Sequence, residues 1–130
     1  MPTYRELLAQ TKAEIDEIGT PEAQERLAHG PAAGADAPLF LDIRELDEWQ
    51  EGHIAGALHI PRGNLESRVE GLVPDKDREI FVYCAAGARS AFAAKALGEL
   101  GYTDVVSVAG GFSDWKRNGY DFTKIGRAHV

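Results

Sequence analysis

The chain has 130 residues, with 14 Lys and Arg against 21 Asp and Glu, giving a formal net charge of −7 at pH 7. That length fits one domain with a real core, and 44% hydrophobic with 27% charged residues is the balance of a water-soluble globular chain. The acidic balance argues against nucleic acid and anionic membrane as partners of the surface as a whole, and no apolar run reaches the roughly 18–20 residues of a membrane span.

The N-terminus MPTYRELLAQ carries Arg5 and Glu6 and no apolar signal core, and the single cysteine cannot form an internal disulfide. The expected compartment is the cytoplasm. Residues 3–18 (TYRELLAQTKAEIDEI) set Leu7, Leu8, Ile15 and Ile18 at ragged helical spacing among strong helix formers. They predict a helical extension over residues 1–19. Thr20 as N-cap and Pro21 at the first helical position open a second helix, which Gly30-Pro31 stops after His29. A main domain over residues 20–120 begins there, and residues 30–38 read as a small-residue loop.

From Leu39 the texture changes. Residues 39–43 (LFLDI) are a buried strand, residues 44–51 a polar, helix-prone turn carrying Trp49, and residues 57–60 a short strand closed by Pro61. Asn64 to Gly71 can form a helical segment, followed by a turn over 73–77. Residues 79–83 (EIFVY) are the clearest strand, β-branched and aromatic with no breaker. Residues 89–100 (RSAFAAKALGEL) are the clearest helix, closed by Gly101. A last strand covers 105–108 and a short helix 110–116. Strands alternating with helices predict an α/β domain built on a central parallel sheet with covered faces. The tail 124–130 (KIGRAHV) continues no pattern. One choice of codons for it spells a DNA adapter used in short-read sequencing, so these seven residues are expected to be read-through and not native protein.

The only cysteine, Cys84, stands between the 79–83 strand and the 89–100 helix, followed by Ala85, Ala86, Gly87, Ala88, Arg89 and Ser90. Open parallel sheets bind ligands beyond the carboxyl ends of their strands. A thiol there has a helix N-terminus behind it, whose unpaired N–H groups favour a thiolate. The small residues let backbone N–H groups curl toward the sulfur as an anion-binding nest, and Gly87 can take a positive φ. Arg89 adds a fixed charge that either binds a sulfur oxyanion or ties the loop from outside. A buried core thiol is the plain alternative for a free cysteine, and the strand–Cys–small–small–Gly–small–Arg–helix order argues against it. Cysteine phosphatases place five residues between cysteine and arginine, enough to ring a phosphate. Only four intervene here, a loop sized for one sulfur atom. A histidine approaching in space is left open.

These residues, with LDIRELDEWQEGHIAGALHIPRGNLE over 41–66, closely resemble the rhodanese family. Asp42-Ile43-Arg44 is similar to its Asp-x-Arg strand end, and Gly52-His53-Ile54-Ala55-Gly56-Ala57 to its Gly-His-Ile-x-Gly-Ala segment. Cys84, Gly87, Arg89 and Ser90 match Cys-x-x-Gly-x-Arg-Ser, and Ala109-Gly110-Gly111 with Trp115 matches Ala-Gly-Gly-x-x-x-Trp. The likeness covers about residues 22–119. It implies a five-stranded parallel sheet flanked by helices, with residues 1–19 outside the pattern. It further implies a sulfurtransferase without metal or organic cofactor. Cys84 would carry the sulfur as a persulfide, bound by Ala85, Ala86, Gly87, Ala88, Arg89 and Ser90. Thiosulfate or a persulfide would donate, and a thiol, cyanide or a protein would accept.

The other candidates carry less. His53 is a candidate general base, against a ring bonded to nearby backbone to fix the loop. Asp42 and Arg44 could contact substrate, against a scaffold ion pair, and Arg62 could draw an anionic donor to the crevice rim. His29, His59 and His129 have no metal-ligand spacing. The acidic run Glu45, Asp47, Glu48 and Glu51 reads as a solvated helix face. Two functions of different class remain: sulfur transfer through Cys84, and a rhodanese-like binding or regulatory module in which the thiol is incidental. A phosphatase stands third, its loop one residue short.

Overall fold

The computed structural model describes residues 2–29 and 37–124. The first helix, α1 (Tyr4–Ala13), opens with a reciprocal cap: Glu6 N donates to Thr3 Oγ1 at 3.1 Å, and Thr3 N donates to Glu6 Oε1 at 2.8 Å. It ends five residues before the expected boundary at Ile18. Asp16–Gly19 instead forms β1, paired in parallel with β5 (Val105–Ala109) in the register Asp16 to Val106 through Gly19 to Ala109. Local helix propensity loses here to the backbone hydrogen bonds offered by an open sheet edge. Ile18 packs against the core beneath, and Ile15, just before the strand, against the core on the other face.

The remaining elements follow the expected order: α2 (Thr20–His29), β2 (Leu39–Asp42), α3 (Leu46–Glu51), β3 (Leu58–His59) and a single 3-10 turn (Arg62–Asn64). Then come α4 (Leu65–Leu72), β4 (Ile80–Tyr83), α5 (Ala88–Glu99), β5 and α6 (Gly111–Arg117). Among the described residues the strands of the sheet pair in parallel, in the order β1-β5-β4-β2-β3. Residues 30–36 of the expected small-residue loop and 125–130 of the expected read-through tail lie outside the described residues.

The strand period of two splits the core into two layers. Leu41, Ile43, Val82 and Cys84 join Leu65 and Val69 of α4 and Ala93 and Leu97 of α5 on one face. Phe40, Phe81, Tyr83 and Val108 join Ala23 of α2 and Phe112 and Trp115 of α6 on the other. Every residue of β4 is buried, as both-face coverage of a parallel sheet requires. Among the described residues, no helix is long and apolar enough to cross a membrane.

Candidate active site

Cys84 follows directly on β4, which lies between β5 and β2, so its backbone leaves the sheet at the carboxyl edge where the chain has run to either side. The thiol is 1% exposed and points to the α5 face. Gly87 takes φ 110°, a left-handed conformation that costs a glycine nothing, and serves as N-cap of α5. That turn folds the loop back over the sulfur. Gly87 N donates to Cys84 Sγ at 3.1 Å and Ser90 N donates to it at 3.3 Å, with Ser90 Oγ at 3.6 Å. Donors converging on sulfur stabilise negative charge there.

The same loop is tied down from outside. Phe112 N donates to Cys84 O at 2.8 Å and Ser113 N to Ala85 O at 2.9 Å, so the first turn of α6 spends its unpaired N–H groups on the loop carbonyls. This close approach needs Gly111 (φ 54°), where an added Cβ would lie 2.3 Å from Cys84 O and 2.7 Å from Ala85 O. Gly111→Ala is expected to cost about 3 kcal/mol or more, read as a lowered urea midpoint. A wild-type midpoint would show that the loop and α6 separate without penalty.

Arg89 reaches neither sulfur nor a loop carbonyl as its principal partner. Its Nη1 and Nη2 donate to the two carboxylate oxygens of Glu48 on α3 at 2.9 and 3.0 Å. The acidic run expected to be a solvated face thus includes the loop arginine's partner. The hydrogen bonds from Arg89 pull the Glu48 carboxyl down to about 2, against the opposing effect of its burial and with help from the Glu45 N–H. Because the folded value is depressed, the stabilisation is complete above the ordinary value of 4.5 and is lost as pH falls toward 2. Glu48→Gln is therefore expected to flatten the acid-side loss of stability over that window. Denaturant midpoints taken across it would remove the pair from the account if the variant were as acid-sensitive as the wild type.

Asp42 and Arg44 form a buried ion pair. Arg44 Nη2 donates to Asp42 Oδ2 at 2.7 Å and Nε to Oδ1 at 3.0 Å, and the Arg44 backbone N–H adds a third bond at 3.0 Å. Arg44 Nη2 also donates to Gly52 O at 2.7 Å, and its guanidinium lies 4.4 Å from the centre of the Phe112 ring. Burial lowers the guanidinium's affinity for its proton, yet the bonds it donates to Asp42, with that carboxylate's charge, leave it raised overall. His53 stacks on Trp49 at 3.4 Å and hydrogen-bonds Trp49 O through Nδ1 at 3.0 Å, while His59 stacks on Trp49 at 4.8 Å. Arg62 pairs with Glu66 one turn along the chain, at 2.8 Å.

The rhodanese-like domain profile matches residues 20–118, most of the chain. The chain belongs to the rhodanese-like family. The putative sulfur carrier protein YrkF of Bacillus subtilis (strain 168) is 39% identical over 76 residues, which are 58% of this chain and 40% of YrkF. This rhodanese-like chain therefore spans less than half of that relative. Thiosulfate sulfurtransferase PspE of Escherichia coli (strain K12) is 40% identical over 78 residues, 60% of this chain and 74% of PspE. Among solved structures, RPA3614 of Rhodopseudomonas palustris CGA009, described as of unknown function and a possible tyrosine phosphatase, superposes with TM-score 0.80 at 28% identity, covering 95% of this chain and 96% of that one. The rhodanese-like domain of Alr3790 from Anabaena gives TM-score 0.75 at 27% identity, with coverage of 88% and 83%.

Beside the cysteine loop this rhodanese-like fold opens a cleft of about 700 Å³, lined among others by Glu48, Asp47, Ala85, Phe112 and Lys116. The structure brings Cys84, Gly87, Ser90 and Arg89 into one cradle, with Ala85 on the cleft wall and Ala86 exposed at the loop's tip. Arg44 also reaches the cleft wall, whereas Asp42, His53 and Arg62 are not among its lining residues. Sequence reasoning missed Glu48, which stands 41 positions from Arg89, and Ser107, a buried hydroxyl on β5 within 2.8 Å of Ser90 Oγ. No local pattern marks either.

Proposed function

We propose that the protein is a sulfurtransferase that carries a sulfane sulfur as a persulfide on Cys84. The observation that carries this reading is the pair of N–H donors from Gly87 and Ser90 on the Cys84 sulfur, inside a six-residue loop at the carboxyl edge of the sheet. Family membership and relatives named as sulfur-handling proteins support it.

In the forward half-reaction the Cys84 thiolate attacks the outer sulfur of thiosulfate. A Cys84–S bond forms, the S–S bond of thiosulfate breaks, and sulfite leaves with the electron pair. A low-molecular-weight or protein persulfide serves in the same way, with its thiolate as leaving group. In the return half, a nucleophile such as cyanide or a thiol attacks the terminal sulfur and Cys84 departs as thiolate. Among the described residues, the N–H groups of Ala85, Ala86, Ala88 and Arg89 donate to no protein acceptor, leaving them for the terminal sulfur's charge. Glu48 holds Arg89 as the outer wall of the cradle, and the compartment proposed is the cytoplasm.

Intact-mass spectrometry tests the route. A gain of one sulfur atom after thiosulfate or glutathione persulfide, lost again on adding cyanide, is the expected result. No gain from either donor, with Cys84 reduced, would leave the non-catalytic module as the reading. Hydrolysis of an aryl phosphate in the same preparation would favour the phosphatase.

A further inference from the structure

We propose that Ser107 is a positioning residue that acts on the Cys84 sulfur through the Ser90 hydroxyl. The inference rests on the reading of Cys84 as a nucleophile used as its thiolate.

Ser107 sits in the middle of β5, fully buried, beside Val82 of β4 and Glu17 of β1. A hydroxyl so placed is costly without a partner. Among the described residues its one side-chain partner is Ser90 Oγ, at 2.8 Å. Ser90, also fully buried, has two more neighbours: Gly87 O at 3.2 Å and Cys84 Sγ at 3.6 Å.

A hydroxyl has one proton and two lone pairs, which limits the arrangements. Gly87 O can only accept. With a protonated thiol, Ser90 therefore donates to Gly87 O and accepts from both Ser107 and the S–H group, and every polar atom is satisfied. When the thiol proton has left to solvent, the sulfur can only accept. Ser90 then turns its proton from Gly87 O to Sγ and becomes the third donor on the anion, after Gly87 N and Ser90 N. The released carbonyl is not orphaned, because Ala91 N already donates to it at 3.3 Å. Ser107 donates in both states. It holds the Ser90 oxygen in place and polarises the O–H bond it offers to sulfur.

The test is thiolate absorbance titration, unambiguous in a chain with one cysteine, read as the difference from Cys84→Ser. Ser107→Ala is expected to move the profile to higher pH, with about a threefold or greater loss of thiolate at a fixed pH on the rising limb. Ser107→Thr, which keeps the hydroxyl, is expected to restore the wild-type profile. In a Ser90→Ala background the further change Ser107→Ala is expected to do nothing to the profile. An unmoved profile in Ser107→Ala overturns the proposal, as does a shift of equal size in the Ser90→Ala background, which would mark a packing effect. Sulfur uptake measured on the same wild-type sample separates the two ideas. A profile that behaves as expected in a protein that takes up no sulfur keeps the relay and removes the sulfur-transfer reading.

Discussion

Cys84→Ser is expected to lower thiocyanate formation from thiosulfate and cyanide by on the order of a thousandfold or more, to the level of the uncatalysed reaction. The substitution exchanges one atom. Gly87 N and Ser90 N, the donors that fold the loop over position 84, belong to the backbone and remain. A serine hydroxyl, in contrast, is almost wholly protonated near neutral pH and does not hold a transferable sulfur. The far-ultraviolet circular dichroism spectrum and the melting temperature should stay close to the wild type, so the loss belongs to chemistry. Retained turnover in the serine variant would take the thiol off the reaction path. Ala85, Ala86 and Ala88 would then have to bind thiosulfate for some other attack.

The second large effect concerns stability. Arg44→Met is expected to cost roughly 3–5 kcal/mol, or a melting temperature roughly 10–20 °C lower, because it leaves the Asp42 carboxylate buried without its cationic partner. The methionine replaces the stem and fills most of the space over Phe112, so the deficit is the unpaired charge and the lost bond to Gly52 O. The double variant Asp42→Leu/Arg44→Met removes both charges. It is expected to be more stable than Arg44→Met, since a well-packed apolar pair avoids the desolvation of an isolated carboxylate. A double variant no better than the single one would shift the cost to packing around Phe112. Either result bears on the site, because Arg44 fastens Asp42 at the end of β2 to the turn that follows α3, and α3 carries Glu48.

How far the sequence showed this in advance depends on whether the cause was local. Strand β4 and helix α5 were plain because β4 is β-branched or aromatic throughout and fully buried, and α5 is rich in alanine with a buried face. The cysteine loop was plain because its chemistry lies in consecutive residues: a strand end, small side chains, a glycine able to take positive φ, and a helix start. β1 was hidden, since Asp16, Glu17, Ile18 and Gly19 carry one apolar residue between them and owe their extended form to the edge of β5. Thr3 read only as the first helical residue, and its capping box with Glu6 tells where α1 begins and nothing about where it must stop. Glu48 looked like its acidic neighbours, and its pairing with the loop depends on a residue 41 positions away. The contacts of His53 and Arg62, a tryptophan face and a neighbouring glutamate, likewise depend on the fold and not on a local signal.

Three of the loop's carbonyls accept backbone N–H groups: that of Cys84 from Phe112, that of Ala85 from Ser113, and that of Gly87 from Ala91. The backbone therefore turns N–H groups, and not carbonyls, toward the sulfur. Such a lining discriminates by sign as well as by size. Soft cations such as copper(I) or zinc need thiolate lone pairs and further ligands within bonding distance. Here Gly87 N and Ser90 N already donate to the sulfur, so a soft cation would compete with two hydrogen bonds for its lone pairs. The loop's backbone is thereby arranged to receive an anion at Cys84 in preference to a cation.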